Sequence, residues 1–237
     1  MTHRMVASLV ICLALPVVST APSPNLALVQ EQAASAPCDA EGTPEASRGA
    51  TPAAASEFQR IELGHGEALI WPAGERGVLL LHGAAYDAAS WEPQATMLAS
   101  QGYMVLSLET LSSEAVIEGI EFLIGDCGVA GVTVIGASAG GASALGALAN
   151  DPPGVTGLVL LGATGEVDTL GEYPKLFTAS EGEGLADRLA TMAESAPGEA
   201  NETLILPGSV HAQAIFETEQ GDALMEAILA FLDEAGS

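Results

Sequence analysis

The chain has 237 residues, 49% of them hydrophobic, and a mean hydropathy of +0.35. That suits one domain with a sizeable core and excludes a natively disordered chain. Against 31 acidic residues stand 6 basic ones, a formal net charge of −25, and such a field repels phosphate backbones and anionic lipid, which argues against a nucleic-acid partner.

Residues 1–21 read as a secretory signal peptide. His3 and Arg4 are weakly positive, Met5 to Val18 is apolar, and Ser19-Thr20-Ala21 places small residues at a cleavage point. The apolar run is short and interrupted by Pro16, against a spanning helix and against stable membrane insertion after cleavage. Val10 and Ile11 before Cys12 do not fit a lipoprotein signal. The expected location is secreted, periplasmic or cell-surface. Loss of the leader removes Arg4 and no acid, taking the charge one unit further negative. The acidity is read either as adaptation to high salt or as a solvated acidic surface. The first reading predicts a fold destabilised by self-repulsion, so its unfolding midpoint is expected to rise as salt goes from about 10 mM to about 1 M. A midpoint that stays flat over that range leaves the solvated surface.

Residues 22–56 are rich in Ala, Pro, Ser and Glu without apolar periodicity, a flexible linker ahead of a folded domain over 57–237. After cleavage Cys38 and Cys127 remain; an exported chain can pair them, and two free thiols are the alternative. Phe58 to Leu63 and Glu67 to Trp71 read as strands around Gly64-His65-Gly66. Gly77 to Leu81 is a short continuous apolar run, as expected of a strand covered on both faces. Ser90 to Gln101 has helical spacing, Tyr103 to Leu108 is a strand, and Ser113 to Ile124 a helix with Ser113 as candidate cap. Val132 to Ile135 (strand), Gly140 to Asn150 (helix), Val155 to Leu161 and Lys175 to Ala179 (strands) follow. Leu185 to Ser195 (helix), Glu202 to Leu206 (strand) and Asp222 to Glu234 (helix) complete the series. This alternation predicts the α/β class, a mostly parallel central sheet with helices on both faces.

The stretch VTVIGASAGG, residues 132–141, runs a strand straight into Gly136-Ala137-Ser138-Ala139-Gly140. A tight strand–turn–helix lifts the Ser138 hydroxyl above the carboxyl edge of the sheet, and Gly136, Gly140 and Gly141 let the segments approach. The helix that follows favours developing negative charge at its N-terminus. Upstream, His82-Gly83 leaves the third strand, so the backbone amide of Ala84 can face the Ser138 turn and, with that of Ala139, form a two-donor oxyanion hole. His82 itself, at a strand end, is read as loop architecture. PGSVHA, residues 207–212, puts His211 after the final strand, where it can serve as general base. The acid is placed at Glu183, with Glu181, Asp187, Glu166 and Asp168 as the other candidates; a carboxylate there fixes the imidazole tautomer. No CxxC or HExxH spacing points to a metal, and no cofactor is called for.

From about residue 58 onward the chain resembles the α/β-hydrolase family, in particular small lidless members similar to dienelactone hydrolases and simple carboxylesterases. The matching stretches are LLLHG at 79–83, GASAGG at 136–141, the acid-bearing exit at 180–183 and PGSVH at 207–211, in the order Ser, acid, His. The resemblance implies hydrolysis of a small-molecule ester through a covalent acyl-enzyme, with Ser138 as nucleophile and His211 as base. The family more often has Asp where Glu183 stands. Only Gly162 to Pro174 separate two strands, too few residues for a cap domain, so the site is expected to be open to solvent. Tyr86, Trp91 and Tyr173 are candidate pocket walls. Acyl transfer on the same scaffold and a non-catalytic binding protein are the alternative functions.

Overall fold

Apolar runs too short for helices and bounded by Gly, Pro and polar residues form the sheet. The computed structural model describes residues 37–38 and 58–236. The leader and most of the linker lie outside the described residues. Eight strands, β1 (Gln59–Leu63), β2 (Gly66–Trp71), β3 (Arg76–Leu81), β4 (Tyr103–Leu108), β5 (Val132–Ala137), β6 (Val155–Leu161), β7 (Lys175–Ser180) and β8 (Asn201–Leu206), make one sheet in the order β1-β2-β4-β3-β5-β6-β7-β8. β1 and β2 are antiparallel to their neighbours, and the strands from β4 to β8 are parallel. Five α-helices cover it: α1 (Glu92–Ser100), α2 (Ser113–Gly125), α3 (Ala139–Leu148), α4 (Ala186–Ser195) and α5 (Gly221–Ala235).

The period of two along each strand divides the core. Leu79 and Leu81 of β3, Val134 of β5 and Leu158 and Leu160 of β6 face α2, α3 and α4. Val78 and Leu80, Ile135, Val159 and Leu161 face α1 and α5. Each fully buried Leu or Val contributes about 1.5–3 kcal/mol of transfer free energy. The α/β class, the parallel sheet, the helices on both faces and the absence of a cap, among the described residues, agree with the expectation. No helix among them is long and apolar enough to cross a membrane.

Local details differ from the sequence reading. The cap of α2 is Ser112, not Ser113: Ser112 has the extended backbone that a cap needs, and its Oγ accepts from the Ala115 N–H at 3.2 Å. The helix expected from Ser90 is a 3₁₀ turn over Ala88–Trp91 followed by α1 from Glu92, because Pro93 lacks an N–H and fits a first helical turn. Cys38 and Cys127 are joined in a disulfide with 5.1 Å between their Cα atoms, which ties the chain at residue 38 to the turn after α2.

Lys175, the only lysine, opens β7 and is fully buried. Its Nζ donates to the carbonyls of Gly171 (2.7 Å), Tyr173 (2.7 Å) and Pro197 (2.6 Å), stapling two loops at the amino ends of the strands. Burial pushes its pKa from 10.5 down to about 8, against the pull of the Asp151 and Glu172 carboxylates. In Lys175→Met the Pro197 carbonyl keeps the Asn201 amide, while those of Gly171 and Tyr173 lose their donor. The expected loss is about 3 kcal/mol, or roughly 10 °C in Tm. Between pH 8 and 10.5 the unfolded chain holds the Lys175 proton and the folded one releases it. Wild-type stability relative to Lys175→Met therefore rises with pH across that window, by up to about 3 kcal/mol. Urea midpoints of both proteins at pH 7 and pH 10 check this; parallel values at the two pH values would refute it.

Candidate active site

Ser138 sits alone between β5 and α3 with φ 49° and ψ −108°, a strained conformation for a residue with a side chain. The strand hands the chain to the helix within this one residue. The turn closes because Gly140 has no Cβ: its N–H donates to the His82 carbonyl at 3.1 Å, and a Cβ there would meet the Leu81 and His82 carbonyl oxygens. The Ser138 N–H donates to Leu161 at the end of β6 (2.9 Å), which fixes the elbow at the carboxyl edge of the sheet.

The structure brings Ser138, His211 and Glu183 together. Ser138 Oγ lies 2.9 Å from His211 Nε2, and His211 Nδ1 is hydrogen-bonded to Glu183 Oε1. Glu183 closes the 3₁₀ turn that follows β7, and its other oxygen accepts the Ser180 N–H at 2.7 Å. The Ser180 hydroxyl in turn donates to the Val210 carbonyl (2.6 Å), holding the histidine loop against the acid. The Glu183 side chain is 8% exposed and that of His211 54%, so a sheltered carboxylate orients an imidazole that faces solvent. Room for the ring comes from Gly162, at φ 60°, where a Cβ would lie 2.9 Å from the imidazole. Glu181, Asp187, Glu166 and Asp168 are exposed and make no hydrogen bond or ion pair with His211. With the carboxylate accepting at Nδ1, the Nε2 lone pair is directed at the Ser138 hydroxyl.

Ala139 is the first residue of α3, and Ala84 is on the exposed turn after β3. Neither amide donates a hydrogen bond to the described residues, as required of donors kept free for a ligand oxygen. Both ring nitrogens of His82 face backbone carbonyls, those of Gly83 (2.8 Å) and Glu109 (3.1 Å), a part of the loop's framework.

Of the three aromatic residues considered as pocket walls, only Tyr86 is beside the site, with its ring packed at Gly83, next to Ser138. Trp91 is buried in the core against Phe216. Tyr173 is at the opposite end of the sheet, its ring 4.7 Å from Lys175 Nζ. Apolar and aromatic composition alone could not separate these placements, which depend on where each loop crosses the sheet. Sequence reasoning also passed over Gln213, buried two residues after His211 and bonded to the Gly83 N–H; a lone Gln carries no pattern to mark it. A cleft of about 530 Å³ lined by His65, Glu114, Glu118, Glu121 and Asn150 shares no residue with the Ser138 cluster. Among the described residues no group of His, Cys, Asp and Glu is arranged to hold a metal ion.

No family's sequence model matches the chain, and no curated protein matches it by sequence. Solved structures do match. An esterase from Exiguobacterium antarcticum aligns over 75% of this chain and 100% of its own, at 13% identity and a TM-score of 0.57. A carboxylesterase from Bacillus subtilis aligns over 75% of this chain and 91% of its own, at 15% identity and TM-score 0.58. A hormone-sensitive lipase from a metagenome library aligns over 78% and 88%, at 19% identity and TM-score 0.60. These are α/β-hydrolase esterases and lipases, and this chain has the α/β-hydrolase fold. At such identities the likeness is one of fold, and what the chain does must be argued from its own residues.

Proposed function

We propose that this protein is a serine hydrolase of carboxylic esters, with Ser138 as nucleophile, His211 as general base and Glu183 as the acid. The observation that carries the reading is the unbroken contact from Ser138 Oγ to His211 Nε2 and from His211 Nδ1 to Glu183 Oε1. Ser138 Oγ attacks the ester carbonyl carbon as its proton passes to His211 Nε2. The oxyanion that forms faces the amides of Ala84 and Ala139, and Glu183 stabilises the imidazolium. Collapse expels the alcohol with the proton held by His211 and leaves an acyl group on Ser138. A water deprotonated by His211 then attacks the acyl carbon, and the carboxylic acid departs from a regenerated serine.

The absence of a cap over the described residues and the exposed His211 support small or extended soluble esters over long acyl chains held in a tunnel. Export is part of the reading, supported by the leader-like residues 1–21 and by the Cys38–Cys127 disulfide, a bond kept in oxidising compartments. The deciding experiment is labelling with a fluorophosphonate probe. Wild type is expected to label, and Ser138→Ala and His211→Ala are not. A folded wild type that stays unlabelled at low and high salt would replace the proposal with a non-catalytic binding protein.

A further inference from the structure

We propose that Gln213 is a positioning residue for the upstream oxyanion donor, an inference that rests on the serine-hydrolase reading above. Gln213 is 4% exposed, inside the 3₁₀ turn Ala212–Glu217 that begins just after His211. Its Oε1 accepts the Gly83 N–H at 3.1 Å, and its Nε2 donates to Ser90 Oγ at 2.8 Å. The Ser90 hydroxyl gives its only proton to the Asp87 carbonyl at 2.5 Å, so towards Gln213 it can only accept. That fixes the amide with its nitrogen at Ser90 and its oxygen at Gly83.

Gly83 is thereby gripped from both sides. Its carbonyl accepts the Tyr86 N–H (3.0 Å) and faces His82 Nδ1 (2.8 Å), while its N–H is held by Gln213. The Ala84 N–H belongs to the same planar peptide unit as the Gly83 carbonyl and points the opposite way. Holding Gly83 therefore aims the Ala84 donor. Between His211 and Gln213, Ala212 has φ 50° and turns the chain, so that one side chain meets Ser138 and the other meets the oxyanion loop. The same two segments also touch through Tyr86 and Glu217 (3.1 Å) and through Trp91 and Phe216. Without Gln213 the loop stays attached and the Gly83 carbonyl keeps Tyr86 and His82. The buried Gly83 N–H then has no acceptor, so Gly83 is held on one side only and the Ala84 donor is aimed less tightly.

The test uses Gln213→Leu and Gln213→Glu, a short p-nitrophenyl ester, and a trifluoromethyl ketone whose adduct places an oxyanion in the hole. In Gln213→Leu, kcat is expected to fall about 10-fold to 100-fold, less than outright removal of a donor. KM changes little, and ketone affinity falls in parallel with kcat. Gln213→Glu, whose carboxyl is held neutral by burial and so offers an acceptor to Gly83 and a donor to Ser90, recovers part of both. A folded Gln213→Leu with unchanged kcat and ketone affinity, or with only KM raised, overturns the proposal. If Gln213→Leu does not fold, Ser90→Ala decides: a smaller loss of the same kind supports the proposal and unchanged kinetics overturn it. A wild type that neither labels nor hydrolyses esters overturns the serine-hydrolase reading and this inference together, so the two failures are distinguishable.

Discussion

Ser138→Ala is expected to lower kcat for an activated soluble ester by about 10⁴-fold or more and to abolish fluorophosphonate labelling, with stability within about 1 kcal/mol of wild type. The size follows from the loss of the covalent route. On the proposed mechanism, His211 without Oγ can only activate water held in no defined place, and the expected remainder is oxyanion binding by Ala84 and Ala139, a residual effect of about 10³–10⁴ over solution in such sites. The fold should tolerate the change because Ser138 Oγ bonds only the exposed His211, and Ala can adopt the same strained backbone no worse than Ser. Steady-state kinetics beside a thermal melt check both halves. An alanine variant that keeps wild-type turnover would remove Ser138 from the mechanism altogether.

Glu183→Gln is expected to cost about as much, near 10⁴-fold in kcat, although it changes one atom and leaves the serine in place. The reason lies in the second bond of the carboxylate. Glu183 Oε2 accepts the Ser180 N–H at 2.7 Å, so the glutamine must turn its oxygen to Ser180 and its NH₂ to His211. An NH₂ group can only donate there, which makes Nδ1 the acceptor and places the ring proton on Nε2, facing Ser138. The histidine is then the wrong tautomer and cannot take the serine proton. Glu183→Asp retains the charge on a shorter stem and is expected to lose less than Glu183→Gln. If Glu183→Gln turns over at the wild-type rate, another carboxylate supports His211, and Glu181, the exposed neighbour in the same 3₁₀ turn, becomes the residue to test.

What the sequence by itself determined was local or ordered along the chain. Continuous apolar runs such as Gly77 to Leu81 and Val155 to Leu161 mark strands covered on both faces, since only burial on both sides removes the need for alternation. Small residues around Ser138 mark the elbow, because a strand, a turn and a helix can meet in so few residues only without bulky side chains. The order Ser138, Glu183, His211 follows from which strand each residue leaves. Tertiary structure decided everything that depends on distance across the sheet. Five carboxylates were compatible with the sequence, and only Glu183 reaches His211, because a 3₁₀ turn folds it back onto the Ser180 amide. The role of Gln213 required a strained Ala212 and a loop from the far end of the chain. The staple at Lys175, the placement of Trp91 in the core and of Tyr173 away from the site, and the pairing of Cys38 with Cys127 have the same origin. A hydrogen bond or a disulfide acts over a few ångströms between residues tens of positions apart, and residue pattern along the chain carries periodicity but not that distance.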